Sequence, residues 1–176
     1  MVRRRTHHTH RLTPSTKDVQ GAEPMTEIHE ALRRWAKGLY PLEAGVELLI
    51  RAFGGRFANP GHPWVQQGDD QGWWWIDVEQ MTEDNYGVLS GGETRLLRIA
   101  ASLLDGPPVD LSRHLAGLDR GHVQLVLAAI SHASGSHEHL GPPAPDPRGR
   151  YVHDGGRVGL HPLGGLYPWP DQESPL

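Results

Sequence analysis

The sequence predicts an α+β fold that is mostly α-helical, with about five helices and one β-hairpin inserted after the second helix. Two observations carry this prediction. Apolar residues recur at the helical period in several segments between residues 25 and 140. Two tryptophan-bearing runs in the middle of that region flank the turn-rich segment 68–72. The chain has 176 residues, which is enough for one domain with its own core.

Two amphipathic helices are predicted at the start of the domain. The first spans about 27–38, with Thr26 as its N-cap. Its apolar face is formed by Ile28, Leu32, Trp35 and Leu39. After Pro41 a second helix carries apolar residues on one face and ends at the glycine pair 54–55. That face is formed by Leu42, Val46, Leu49, Ile50 and Phe53.

A β-hairpin is predicted in the middle of the chain. We expect strands over 64–67 and 73–80, joined by the turn 68–72, which is rich in glycine and aspartate. Successive side chains of a strand point to opposite faces of a sheet. One face of the second strand therefore carries Trp74, Ile76 and Val78, and the other carries Trp73, Trp75, Asp77 and Glu79.

Three further helices are predicted after the hairpin. Ser90 and Glu93 have the spacing of a capping box at the start of a helix over 91–104, which ends before Pro107. Asp110 is the expected N-cap of a short helix that carries Leu111 and Leu115. Asp119 is the expected N-cap of a last helix, whose apolar residues are Val123, Val126, Leu127 and Ile130. Because this last helix is apolar nearly all round, we expect it to be the central one.

Composition divides the chain into three parts. Residues 1–24 are basic, contain histidines and have few large apolar residues, so we predict a disordered tail. Met25 is an alternative start, in which case this tail would not belong to the native product. Residues 25–140 form the predicted helical α+β domain. Residues 141–176 are rich in proline and glycine and are predicted to be a tail, whose aromatic end could dock on the domain.

Charge and cysteine content exclude several classes of protein. The net charge of −4 argues against a general nucleic-acid-binding protein, whose binding face is usually strongly basic. The chain has no cysteine, which excludes disulfides, thiolate metal sites and thiol nucleophiles. No run approaches the roughly 18 apolar residues of a membrane-spanning helix. A cytoplasmic protein without membrane association is therefore expected.

The segment 89–93 reads Leu-Ser-Gly-Gly-Glu, and an Arg-Ile-Ala-Ala-Ser-Leu-Leu run and Leu118-Asp119 follow it. This segment resembles the signature segment of ABC-type ATPases over about 16 contiguous residues. The resemblance implies that Ser90, Gly91 and Gly92 contact the γ-phosphate of ATP bound to a partner subunit. However, the sequence has no Gly-x-x-x-x-Gly-Lys-Ser/Thr motif, and segment 109–114 is not an apolar strand ending in Asp-Glu. The sequence therefore predicts a capping box with a glycine-rich first turn, and no ATPase.

Three tryptophans are the predicted partner-binding residues. Trp73 and Trp75 lie on the second face of the hairpin, and Trp64 lies near them. Aromatic side chains on a surface can stack on a partner's apolar side chain, on a base or on a sugar. The alternative is that the helices or Trp169 cover this face, since a two-stranded sheet must bury itself against other elements.

Arginines near the helix that starts at Ser90 support an alternative function. Arg95 and Arg98 could form a local basic patch with Arg113 and Arg120, next to the amides of Gly91 and Gly92. The alternative site for phosphate or nucleic acid therefore consists of Ser90, Gly91, Gly92, Arg95 and Arg98.

Clustered histidines and carboxylates give only weak signals for chemistry. His132, His137 and His139 surround Glu138, but a flexible Ser-Gly-Ser segment separates the first two, so no metal site is predicted. Asp69, Asp70, Asp77 and Glu79 are the clustered carboxylates outside the helices, and a metal-dependent hydrolase using the three aspartates is a weaker alternative. No catalytic residue and no cofactor are predicted.

These observations predict a non-catalytic cytoplasmic accessory or regulatory protein that acts through protein–protein interaction. Another protein is the expected partner. A small nucleic-acid-binding or nucleotide-contacting domain is the alternative, and the sequence does not indicate an oligomeric state.

Overall fold

The fold is taken from a computed structural model, which describes residues 23–69 and 72–170. Nearly all of the predicted tail 1–24 therefore lies outside the described residues, as does the end of the chain after residue 170. The described ranges contain six α-helices and two small antiparallel sheets. This confirms the predicted α+β fold, mostly helical, with a hairpin after the second helix. None of these helices is long and apolar enough to cross a membrane.

The elements follow one another with short connections. The helices are α1 (Glu23–Ala36), α2 (Tyr40–Arg51), α3 (Glu83–Tyr86), α4 (Gly91–Leu103), α5 (Leu111–Leu115) and α6 (Arg120–Ala133). The strands are β1 (Val65–Gln67), β2 (Trp74–Ile76), β3 (Ala144–Pro145), β4 (Tyr151–His153) and β5 (Gly156–Gly159). The sequence predicted the helices that correspond to α1, α2, α4, α5 and α6, and did not predict α3.

Helix α2 is the central element of the core. It packs against α1, α4 and α6, and Gly45 lets it approach α4 closely, because a Cβ at this position would lie 2.6 Å from Leu104 Cγ. The prediction that the last helix is central was wrong. In α6, Val126, Ala128 and Ala129 are buried, whereas Leu127 and Ile130 are exposed. One face of α6 therefore points away from the core.

Helix α2 ends two residues before the predicted stop. Phe53, Gly54 and Gly55 all have positive φ angles, and segment 52–58 forms 3₁₀ turns. Gly55 is required in this turn, because a Cβ there would come within 2.9 Å of the carbonyl oxygen of Ile50. The turn brings Phe57 into the core, where it is fully buried.

The hairpin is shorter than its sequence pattern predicts. Strands β1 and β2 pair antiparallel with Val65 opposite Ile76, and both of these side chains are buried. Residues 78–80 form a 3₁₀ turn in place of the predicted strand end. The Asp77 carboxylate starts that turn by accepting a hydrogen bond from the Glu79 amide, at 3.2 Å. Helix α1 packs against β2, so this small sheet has a helical cover on one side.

Side-chain caps set the starts of the later helices. Thr82 accepts a hydrogen bond from the Asn85 amide and caps α3. Ser90 and Glu93 form the predicted capping box of α4. Asp110 and Asp119 are the observed N-caps of α5 and α6, as the sequence predicts.

The C-terminal part contains a second sheet, in the order β3-β5-β4, which the sequence analysis did not predict. Most of its residues are exposed. The chain after it returns to α6, where the amides of Leu166 and Tyr167 donate to the hydroxyls of Ser136 and Ser131. Trp169 then enters the hydrophobic core. The boundary at residue 140 stays a prediction.

Candidate functional site

The structure separates the three tryptophans that the sequence places together as partner-binding residues. Trp64 is fully buried, and its indole Nε1 donates to the carbonyl oxygen of Phe57 at 2.8 Å. Its ring stacks on His62 with the centroids 4.5 Å apart. Trp64 therefore belongs to the core and does not lie on a partner-binding surface. The Phe57 carbonyl oxygen is the internal acceptor that a buried indole N–H needs.

The other two predicted tryptophans are accessible but lie in different places. Trp73 is 53% exposed and sits at the end of the hairpin. Its ring covers Gly68, where a Cβ would lie 2.8 Å from the indole. Trp75 is partly buried and lines a groove on the surface of the domain. Only Trp75 therefore combines access from solvent with a concave surrounding.

This groove has a volume of about 840 Å³ and is lined by three parts of the fold. The end of α1 and the start of α2 form one wall, residues 75–82 form the second, and residues 104–107 form the third. We call it the Trp35–Trp75 groove. Its apolar lining consists of Trp35, Leu39, Leu42, Trp75, Ile76, Val78, Met81, Leu104 and Pro107. Leu39 is the most exposed of these large apolar side chains, at 58%.

The rim of the Trp35–Trp75 groove is acidic. Asp77, Glu79 and Asp105 contribute carboxylates to its lining, and it contains no lysine or arginine. Within the described ranges, none of these three side chains forms an ion pair. The groove thus combines an apolar floor with negative charges that have no counterion among the residues that the structure describes.

The sequence predicted Trp75 as a partner-binding residue at the surface, but it did not predict that Trp35 and Leu39 form the opposite wall of this groove. Trp35 and Leu39 were assigned to the buried face of the first helix, but α1 ends at Ala36 and Gly38 has a φ of +94°. The chain therefore turns before Leu39, and this side chain leaves the helical face that the spacing predicts. The Gly38 and Pro41 that bracket Leu39 are the sequence signal that could have placed it in a connection.

The glycine-rich turn at Ser90 is occupied by its own cap. The Ser90 hydroxyl accepts from the Glu93 amide at 3.3 Å, and the Glu93 carboxylate accepts from the Ser90 amide at 2.8 Å. The Ser90 amide, against the opposing effect of burial, lowers the pKa of Glu93, and Arg56 adds to this lowering through an ion pair. The positive end of the α4 dipole therefore already faces a carboxylate.

Arg95 and Arg98, the two arginines of the alternative site, contact different parts of the fold. The Arg95 guanidinium rests against the turn at Gly117 and the start of α4 at Gly91. The Arg98 guanidinium forms an ion pair with Glu83 and approaches His114 Nε2 at 3.4 Å. Arg113 forms an ion pair with Asp110 at 3.3 Å. Carboxylates therefore lie beside Arg98 and Arg113, and these two arginines do not form an open basic patch.

Two of the clustered histidines meet, and a carboxylate that the sequence did not indicate joins them. His132 and His137 stack with ring centroids 4.5 Å apart, and His132 Nε2 lies 2.7 Å from the Glu43 carboxylate. Burial raises the pKa of Glu43, but the Gly38 amide and His132 together lower it below its ordinary value. Among the described residues, no three His, Asp or Glu side chains form a group that could hold a metal ion.

The two carboxylates of the hydrolase alternative that lie among the described residues, Asp69 and Asp77, do not come together in one site. Asp69 is exposed beside the hairpin turn, and Asp70 lies outside the described residues. Asp77 is engaged as the cap of the 3₁₀ turn at 78–80. Asp77 lines the Trp35–Trp75 groove, whereas Asp69 does not.

Comparisons with protein-family models, with curated proteins and with solved structures give no match to this chain. The placement of side chains in the fold is therefore the basis for a functional conclusion. In the Trp35–Trp75 groove and in the cavity beside Arg98, partly exposed apolar side chains converge with charged groups.

Proposed function

We propose that this protein is a non-catalytic cytoplasmic accessory protein that binds another protein in the Trp35–Trp75 groove. The observation that carries the proposal is the apolar lining of the groove, in which two tryptophans and Leu39 remain accessible at a concave surface. Tryptophans that become fully desolvated in a protein interface contribute a large share of the binding energy. The occupant that fits this lining is a segment with apolar side chains, presented by a partner protein.

The charge of the groove specifies the partner further. Carboxylates of Asp77, Glu79 and Asp105 border the apolar floor and have no basic counterpart in the lining. Opposite charge on a partner accelerates encounter and disfavours partners that are themselves acidic. The proposed partner segment therefore carries lysine or arginine beside its apolar residues, and its binding weakens as the salt concentration rises.

Site-specific crosslinking in cells that naturally express the protein tests this proposal. A photoreactive amino acid at Leu39, inside the groove, is compared with the same amino acid at Val88, which is fully exposed and outside the groove. We expect one protein to be crosslinked repeatedly from position 39 and not from position 88. Mass spectrometry of the crosslinked peptide then shows whether the captured segment is basic.

Charge reversal provides the matched control for this experiment. Glu79→Lys places a positive charge on the groove rim, whereas Glu27→Lys places one on an exposed position of α1 outside the groove. The adduct from position 39 should decrease in Glu79→Lys and persist in Glu27→Lys. Identical adducts from positions 39 and 88, or an adduct that Glu79→Lys leaves unchanged, would contradict the proposal.

The alternative of nucleic-acid or nucleotide binding around Ser90 receives less support. The carboxylate of Glu93 already accepts from the Ser90 amide, and the Arg98 guanidinium already has Glu83 as its counterion. A phosphate would have to displace both carboxylates. Retention of the protein on a DNA, RNA or ATP matrix that decreases with salt would favour this alternative over the groove.

A further inference from the structure

A second cavity lies beside Arg98, away from the centre of the Trp35–Trp75 groove. Unlike the groove, it contains an arginine. Its volume is about 360 Å³, which is within the range of about 300 to 1,000 Å³ that small ligands occupy in proteins. We call it the Arg98 pocket. Its lining includes Arg98, Glu83, His114 and Tyr86 beside the apolar side chains of Met81 and Ala101. Most of this lining is apolar, and its polar side chains include the Arg98 guanidinium, the Glu83 carboxylate and the His114 imidazole.

The position of Arg98 in the pocket is set by a histidine with a defined tautomer. His114 Nδ1 lies 2.8 Å from the carbonyl oxygen of Asp110. Since a carbonyl oxygen can only accept, Nδ1 carries the hydrogen, and Nε2 of the neutral ring is left as an acceptor. Arg98 Nη1 lies 3.4 Å from that Nε2. The imidazole therefore orients the guanidinium without neutralising its charge.

The counterion of Arg98 is a side chain that can be displaced. Glu83 is the carboxylate that Arg98 Nη2 contacts, and its side chain is 77% exposed. Ion pairs between solvent-exposed side chains contribute little to stability, because water screens them. A carboxylate that enters the pocket would bind the same guanidinium with less exposure to water and would release Glu83 to solvent.

The rest of the pocket suits an apolar body attached to that carboxylate. Met81 and Ala101 are buried residues of the wall, and Pro107 and Val109 complete an apolar surface. Burial raises the pKa of the Tyr86 hydroxyl, and the neighbouring Glu83 adds to this effect, while Arg98 opposes it. Tyr86 therefore stays protonated at neutral pH and presents a neutral ring to a ligand.

We propose that the Arg98 pocket binds an apolar carboxylate, whose carboxyl group replaces Glu83 on Arg98 and whose body packs against Met81, Ala101 and Pro107. Two sources offer this chemistry, namely a small free carboxylic acid and the C-terminal residue of a peptide with an apolar side chain. The pocket and the Trp35–Trp75 groove share Met81, Thr82 and Pro107, but Arg98 and His114 line the pocket alone. Substitution of Arg98 therefore tests this inference separately from the proposed function.

Titration of the full-length protein with matched probes tests the inference by calorimetry or by shifts of backbone amide resonances. The first pair is 3-phenylpropanoate and its neutral amide, which share the same body. The second pair is the tripeptide Ala-Ala-Phe with a free and with an amidated C-terminus. We expect saturable binding of at least one free carboxylate, and binding at least about tenfold weaker for the matching amide, since the amide lacks the charge-assisted hydrogen bond.

Three variants connect this binding to the pocket. Arg98→Gln should weaken binding of the free carboxylate at least about tenfold and leave the affinity for the matching amide unchanged. Glu83→Gln removes the competing carboxylate and should therefore tighten binding, and this exposed substitution leaves the fold intact. Arg113→Gln is the control, because Arg113 lies outside the pocket and its side chain is 83% exposed.

The two probe pairs also distinguish the sources of the ligand. If 3-phenylpropanoate binds and the tripeptide does not, the ligand is a small free acid. If the tripeptide with the free C-terminus binds more tightly, the ligand is a peptide end. The inference is overturned if no carboxylate binds saturably, if acid and amide bind equally, or if Arg98→Gln leaves the affinity of the acid unchanged.

Discussion

At the scale of single residues, the Glu47 carboxylate forms ion pairs with two arginines and so connects α1 with α2. Its carboxylate accepts from Arg33 Nε of α1 at 2.5 Å and from Arg51 Nε of α2 at 2.7 Å, and only 14% of its side chain is exposed. Burial raises the pKa of Glu47, but the hydrogen bonds and charges of Arg33 and Arg51 outweigh this effect, and the pKa lies below its ordinary value of 4.5. The charged form of Glu47 therefore stabilises the folded state.

We predict that Glu47→Gln lowers the free energy of unfolding by about 3 kcal/mol at pH 7, because two arginines lose their shared partner. A carboxyl whose pKa is lowered by folding contributes its full stabilisation above its unfolded value, and this contribution disappears as the pH falls through the folded value. The difference between wild type and Glu47→Gln should therefore decrease as the pH falls below 4.5. Urea denaturation at several pH values measures it.

Glu27→Gln is the control for this measurement. Glu27 is exposed on α1 and forms no ion pair within the part of the chain that the structure describes. We expect its stability to follow that of the wild type at every pH within about 0.5 kcal/mol. A deficit of Glu47→Gln that is the same at pH 7 and pH 3.5 would contradict the assignment of the effect to the charged carboxylate.

Among the elements, the starts of the later helices were the part most open to prediction. The predicted N-cap of the first helix was wrong, because α1 begins at Glu23 and Thr26 lies inside it. Ser90, Asp110 and Asp119 cap α4, α5 and α6 as the sequence indicates, because capping depends on residues within one turn of each other. The end of β2 and the whole of α3 were not predicted. There the choice between strand and turn depends on Asp77 and Thr82 side chains that bind nearby amides, and strand alternation carries no information about it.

The capping box of α4 gives a second prediction. Ser90→Ala removes the acceptor of the Glu93 amide, and we expect a loss of about 1 kcal/mol in the free energy of unfolding. Chemical denaturation measures this loss, with Ser102→Ala in the last turns of the same helix as the control. Equal stability of Ser90→Ala and wild type would show that the serine hydroxyl does not stabilise the helix.

The crossing of α2 and α4 gives a third prediction. A Cβ on Gly45 would lie 2.6 Å from Leu104 Cγ and 3.3 Å from the carbonyl oxygen of Ala100. Alanine favours a helix over glycine by about 1 kcal/mol, but overpacking a core costs about 1 to 3 kcal/mol, so we expect Gly45→Ala to be destabilising. Thermal unfolding measures the effect as a lowered Tm.

Gly92→Ala is the matched control for this substitution, since a Cβ at Gly92 in α4 has no atom within 4 Å. We expect it to leave Tm unchanged or to raise it. If Gly45→Ala raises Tm as much as Gly92→Ala does, Leu104 has moved aside, and the close approach of the two helices would not require glycine.

Both candidate sites are assembled only at the scale of the whole molecule. The Trp35–Trp75 groove combines residues from the ends of α1 and β2 with residues 104–107, and the Arg98 pocket combines α3, α4 and α5. A sequence pattern shows which residues share a face of one element. It does not show which elements meet, and this is why Trp75 was predicted while Trp35 and His114 were not.

The position of Trp169 gives the last prediction, which concerns the extent of the folded unit. Trp169 is a buried member of the core, and the Arg51 guanidinium lies 4.9 Å from its ring centroid. A chain that ends at residue 140 loses this tryptophan, and the hydroxyls of Ser131 and Ser136 lose the amides that they bind. We expect the shortened chain to be less stable than the full chain by about 4 kcal/mol or more.

Urea denaturation of the full chain and three altered chains tests the boundary that composition alone places at residue 140. Trp169→Ala in the full chain should reproduce most of the loss of the shortened chain, because the core contact is removed while the rest of the segment is kept. Tyr167→Ala removes a more exposed neighbouring ring and should cost clearly less. If the chain ending at residue 140 is as stable as the full chain, segment 141–170 contributes nothing to the core, and residues 25–140 are sufficient to form the domain.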